Sequence, residues 1–185
     1  MSRVKIIETG FDELLIVETQ RFGDSRGYFS ETYNYRDLKS LGIDIQFVQD
    51  NQSRSSRGVM RGLHFQNAPH AQSKLVRVLS GSILDVVVDL RQDKKTFGKS
   101  FQLEMTSENG TQILVPKGFA HGFIVLSDSA ELLYKTDEFH FPESEGGILF
   151  SDPALEIDWR IPVSEMTISD KDKKHPLLAN AKFKF

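Results

Sequence analysis

A succession of short apolar runs, each broken by turn-forming residues, limits the fold of this chain more than any other feature. Residues 14–17, 75–79, 83–90, 101–105, 112–115, 123–126 and 132–134 are rich in Val, Ile, Leu and Phe. Ser80-Gly81-Ser82, Asn109-Gly110 and Lys117-Gly118 fall between them. Many strands at short, even spacing predict a sandwich or a barrel. Residues 83–90 (ILDVVVDL) are strongly apolar yet carry acids at two positions. Helical patterns are few. Residues 35–41 make about two turns, stopped by Gly42 as a C-terminal cap, and residues 170–178 suggest a short turn region. The predicted class is mostly β with a few short helices.

Neither a repeat nor a Pro/Gly/Ser linker divides the 185 residues, so residues 1–185 read as a single domain. The chain has no cysteine, which excludes disulfides, zinc-thiolate centres and thiol nucleophiles and fits a reducing cytoplasm. With 23 basic and 26 acidic residues the net charge is -3, which argues against a general nucleic-acid binder. The N-terminus lacks the apolar core of a signal peptide, and no stretch approaches the ~20 apolar residues of a bilayer span. A cytoplasmic protein with no membrane partner is the expectation. The sequence leaves open whether the closing Lys182-Phe-Lys-Phe185 is a surface tail, as termini commonly are, or packs.

Two motifs mark a site. Gly110, Pro116, Gly118 and His121 make a G-x5-P-x-G-x2-H pattern that resembles the second motif of the cupin family. The first cupin motif, G-x5-H-x-H with a following Glu, is matched by Gly58 and His64 only. Gln66 stands where the second His belongs, and Gln72, Ser73 and Lys74 follow in place of a Glu. A tight divalent site in this fold wants three or more converging N/O ligands. The chain therefore resembles a cupin barrel, a double-stranded β-helix or jelly roll, that has lost its metal. Lys74 can place a fixed cation where the ion would have been. Arg61, His64 and Lys74 together suggest an anionic ligand, because buried charges are costly unless paired or liganded.

Six ordered blocks extend the likeness across residues 22–178: 22–31 (FGDSRGYFSE), 47–51 (FVQDN), 61–66 (RGLHFQ), 74–77 (KLVR), 118–123 (GFAHGF) and 133–135 (LYK). They resemble the dTDP-4-dehydrorhamnose 3,5-epimerase family. That resemblance implies a cofactor-independent isomerase, a dTDP-4-keto-6-deoxyhexose substrate and a homodimer. The dimer is expected through addition of the strand at 14–17 to a neighbour's sheet edge.

The resemblance also implies roles. His64 is the catalytic base, Asp172 the acid that orients it (Asp170, two residues earlier, is the weaker alternative if the preceding loop slips), Tyr134 the proton donor and Lys74 the group that stabilises the enolate. Substrate contacts fall on Arg26, Glu31, Gln49, Asp50, Asn51, Arg61, His121, Glu145 and Lys171. Where the family commonly has Tyr-Tyr-x-Pro, this chain has Phe139-His140-Phe141-Pro142, which puts His140 at the base-stacking position.

The residue types suit the chemistry. Protons next to a ketone are acidic, but removing them needs a base with a pKa near the working pH, a condition imidazole meets. A carboxylate on the second ring nitrogen fixes the tautomer and stabilises the imidazolium. An ammonium stabilises the developing oxyanion, and a phenol can protonate the opposite face. Three other readings remain: a 3-epimerase or ketoisomerase on a related sugar nucleotide, a non-catalytic sugar-binding cupin, and a metal-dependent cupin such as a dioxygenase.

Overall fold

A computed structural model describes residues 3–185 of the chain. Two sheets face each other. The first runs in the order β1 (Val4–Glu8), β2 (Leu15–Thr19), β10 (Thr111–Val115), β7 (Lys74–Ser80), β12 (Ser129–Thr136), β5 (Gln49–Ser56). The second runs β13 (Glu145–Gly147), β6 (Val59–Gln66), β11 (Phe119–Val125), β8 (Ser82–Asp89), β9 (Ser100–Thr106), with β14 (Thr167–Ile168) beside β6. From β5 to β12 the chain changes sheet at every connection except β8 to β9. That alternation winds the chain as a double-stranded β-helix, the barrel expected from the motifs. A separate hairpin pairs β3 (Phe22–Asp24) with β4 (Gly27–Phe29).

Three apolar layers follow from the strand patterns. Val76, Val78, Ile83, Val87, Met105, Ile113, Phe123 and Leu132 fill the space between the sheets. The outer face of the first sheet packs Val17, Leu75 and Leu114 against Leu38 of the α-helix α1 (Tyr35–Ser40). Asn34 caps that helix by accepting from the Arg36 amide, and Gly42 follows its end at φ +90, as the sequence predicts. Residues beyond β13 wrap the outer face of the second sheet, where Ile148, Phe150, Leu155, Trp159 and Ile161 bury Leu84, Val86 and Val88.

One expectation is corrected and one open point is decided. The strand at 14–17 is not free to join a neighbour, because β1 and β10 already flank it; the edges of that sheet are β1 and β5. The closing residues are not a loose tail. Phe183 and Phe185 meet the Phe65 ring at 6.3 and 5.6 Å, and the Ala68 amide donates to the Lys184 carbonyl at 2.8 Å. Alternating Phe and Lys place both rings on one face, which a β-like terminus can bury. Among the described residues no helix is long and apolar enough to cross a membrane.

Candidate active site

One end of the space between the sheets is left open. A cavity of about 560 Å³ is floored by Val76, Phe123 and Leu132 of the interior core and walled by Arg61, His64, Lys74, His121, Tyr134, Lys171 and Asp172. A second lobe of about 400 Å³ shares His64, Lys74 and Tyr134 with it and adds Gln49, Asn51, Gln66, His140 and Glu145. The two lobes meet at those three shared side chains.

His64 comes from β6 in one sheet, whereas Tyr134 and Lys74 come from β12 and β7 in the other. Base and acid candidates thus face each other from opposite walls. A regular strand would put Arg61 and His64, three residues apart, on opposite faces. The register slips between His121 and Phe123, opposite Gly62, and both side chains reach the cavity. Gly62 has φ +132, and a Cβ there would lie 2.5 Å from the Gly122 Cα, so only glycine serves.

Behind His64, the turn after β14 brings in Asp172, whose Oδ1 lies 2.7 Å from His64 Nε2. Burial alone would raise the Asp172 carboxyl, but hydrogen bonds from His64, the Gly62 amide and Ser169 outweigh it and hold the carboxyl below its usual range. Asp172 is buried while Asp170 is exposed and pairs with Lys173, which settles the choice between the two acids. The ring of a third imidazole, His175, packs edge-on against His64 with centroids 5.5 Å apart, and its Nε2 lies 3.7 Å from the same Asp172 oxygen.

On the facing wall, burial pushes the Lys74 amine down to about 8, against the opposing pull of Asp85 and Glu145. Burial pushes the Tyr134 phenol up, with Arg61 opposing and Glu145 adding to the rise, so it stays protonated at neutral pH. Glu145 is held below the usual carboxylate range: burial would raise it, but Lys171, His64 and His140 outweigh that. Lys171 donates to Glu145 across the mouth of the cavity.

The sequence missed Asp85. This acid sits fully buried in the apolar strand β8 and accepts from His121 Nε2 at 2.8 Å. Its place in ILDVVVDL was the available signal, since an unpaired acid in a core strand is costly. The second acid of that strand, Asp89, serves a different purpose and holds Arg91 and Thr96.

Not every expected contact reaches the cavity. Gln49 and Asn51 line the second lobe, but Asp50 lies between them on the strand, points outward and pairs with Lys135 at 2.9 Å. Glu31 accepts from Asn34 at 2.8 Å and lies outside both lobes. Arg26 sits at the tip of the exposed hairpin, with Asp24 as its partner. His140 does reach the second lobe, 4.0 Å from Glu145 and largely exposed.

The cupin metal position is not assembled. His121 is tied to Asp85, and the Gln66 amide donates to the carbonyls of His70 and Phe139 at 2.6 and 3.1 Å. Gln66 also accepts from the Phe141 amide at 2.8 Å. Where a ligand would stand, the side chain instead pins the segment that carries His140.

The likeness to known proteins agrees with this geometry. A family model described as dTDP-4-dehydrorhamnose 3,5-epimerase matches residues 8–180. A curated protein of that name from Shigella flexneri is 46% identical over 170 residues, 91% of this chain and 93% of its own length. A crystal structure of the enzyme from Elizabethkingia anophelis NUHP1 superposes with a TM-score of 0.92 at 47% identity, over 96% of this chain and 98% of that one. The enzyme from Legionella pneumophila Philadelphia 1, solved in complex with dTDP-4-keto-L-rhamnose, superposes at 0.91 and 45% identity, over 96% of this chain and 94% of its own.

Proposed function

Because this chain belongs to the dTDP-4-dehydrorhamnose 3,5-epimerase family and is an isomerase, we propose that it converts dTDP-4-dehydro-6-deoxy-D-glucose to dTDP-4-dehydro-L-rhamnose, on the route to dTDP-L-rhamnose. One observation carries the catalytic assignment. His64 on one sheet, backed by Asp172 from the turn after β14, and a protonated phenol with an ammonium on the other sheet face the same cavity.

In this reading His64 takes the proton at C3, and the electron pair moves onto the C4 oxygen as an enolate. Lys74 stabilises that charge in a partly desolvated site. Tyr134 returns a proton on the opposite face; His64 then gives up its proton to water and the Tyr134 phenolate regains one from water, and the same groups repeat the exchange at C5. Asp172 fixes the His64 tautomer with Nε2 protonated, which leaves Nδ1 to accept the substrate proton. The second lobe, with Gln49, Asn51 and His140, takes the nucleotide, and His140 offers an imidazole face to the thymine.

Turnover in heavy water tests the regiochemistry. Deuterium is expected at both C3 and C5 of the product. Label confined to C3 would make the protein a monoepimerase, and label at neither carbon would remove it from this reaction class.

The homodimer belongs to the same reading. Phe22, Tyr28 and Phe29 of the hairpin are 44%, 60% and 63% exposed. A two-stranded ribbon with bare aromatics is marginal in water unless something packs on it. A second copy covers these rings, and Arg26 at the tip is then positioned to meet substrate phosphate. Light scattering should give twice the chain mass for the native protein and a monomer for Tyr28→Ser/Phe29→Ser. A native monomer at micromolar concentration would contradict the assignment.

A further inference from the structure

The pairing of His64 with Asp172 accounts for two side chains of the site, but not for His175. Its Nε2 is buried and has no hydrogen-bond partner in the protein, although it lies 3.7 Å from Asp172 Oδ1. Close packing holds the ring there. A Cβ on Gly147 would come within 2.5 Å of the imidazole, so glycine at 147 leaves the room that His175 fills. The carboxylate oxygen of Asp172 is therefore approached by imidazole nitrogens from two sides. One ligand atom from each of His64, Asp172 and His175 lies within 4.8 Å of the others.

We propose that these three residues form a binding site for a borderline-soft divalent cation, zinc being the best match, and that occupation of it inhibits the enzyme. Two imidazoles and one carboxylate make a donor set that divalent zinc accepts readily. Ligands about 2.1 Å from a tetrahedral ion lie roughly 3.4 Å from each other. The 3.7 Å separation already approaches this. The 2.7 Å hydrogen bond between His64 and Asp172 must open by less than an ångström, within reach of side-chain rotation. Water from the cavity supplies the fourth ligand.

This site shares only His64 with the cupin metal position, where Gln66 and His121 are committed to other partners. It also explains how binding would stop turnover. An imidazole ligated through Nε2 keeps its proton on Nδ1. The Nδ1 of His64 then has no lone pair for the substrate. The inhibition half of the proposal rests on His64 being the base, but the binding half does not.

Calorimetry with zinc chloride alone, on chelator-stripped full-length protein at pH 7.5, tests the binding half. One ion per chain is expected, and zinc should raise the thermal midpoint. His175→Phe keeps a ring against Gly147 and should bind zinc about 100-fold more weakly, since loss of a ligand costs at least as much as loss of an outer partner. His175→Gln serves if the phenylalanine does not fold. Zinc should suppress turnover of the native enzyme, with recovery on adding chelator, while His175→Phe turns over and tolerates about 100-fold more zinc. No binding to the native protein, or equal binding to both variants and the native protein, overturns the site. Because calorimetry needs no substrate, an inactive preparation would count against the proposed reaction and leave the metal result standing.

Discussion

Replacing His64 by asparagine is expected to lower kcat by about 10²–10⁴-fold, the usual contribution of a positioned general base, with little change in KM. Asparagine is the informative choice because it still offers Asp172 a donor. Alanine would leave a buried carboxylate without its main partner, and an uncompensated buried charge is strongly destabilising. Nucleotide binding should survive, because the second lobe has polar groups of its own from β5 and from Glu145. Neither nearby imidazole is placed to take over the proposed role of His64, and His175 lines neither lobe of the cavity. His121 is across the strand pair from His64, but its Nε2 is held by the fully buried Asp85. Deuterium exchange at C3 and C5 provides the readout. Exchange that persists at the native rate in His64→Asn would show that the proton goes elsewhere.

Lys74→Met should cost about 10²–10³ in kcat, the range found when one donor to a developing oxyanion is removed. Its pH dependence is more telling. In the proposed mechanism the ammonium is the working form, and burial brings the Lys74 amine down to about 8. The charge is therefore present below that pH and lost above it, so kcat/KM should fall as pH rises through about 8. Lys74→Arg should move this alkaline limb out of range, since a guanidinium does not deprotonate. An unchanged limb in the arginine variant would assign it to another group.

Stability runs the other way. The unfolded amine titrates at about 10.4, so between about 8 and 10.4 the unfolded state binds the proton and the folded state does not. The buried ammonium opposes folding below about 8, and that penalty is relieved as pH rises. Lys74→Met should accordingly melt above the native protein at pH 7, with the gap narrowing by pH 10. A site that favours catalysis at the expense of stability would show this pattern.

Legibility from sequence differed by residue for physical reasons. His64 and Lys74 stand out in the sequence through the incomplete cupin motif, whereas Tyr134, on an otherwise apolar strand, is legible only through the family resemblance. Gln49 and Asn51 lie on a strand that is polar throughout and come only from the family resemblance, whose block 47–51 carries Asp50 with them although the pleat turns it outward. Arg61 was found by its company; what brings it to the same cavity as His64 is a slip in strand pairing, and register is not written in a single strand. Asp85 was visible as an acid in a core strand, yet its partner, 36 residues away, was not. His175 gave no signal at all, because its importance lies in proximity to two residues from other elements.

By itself, the amino-acid sequence determined the β class, the two-motif barrel and the absence of the usual metal ligands, because these depend on local periodicity and on which residue types are present. Tertiary structure alone decided that His64 and Tyr134 stand on opposite sheets, that the Asp172 already favoured over Asp170 lies against His64, that the last phenylalanines pack on Phe65, and that His175 approaches the same Asp172 oxygen. Each of these is a distance between residues far apart in the chain. Such distances are set by how the two sheets wrap one common core, which no short stretch of sequence encodes.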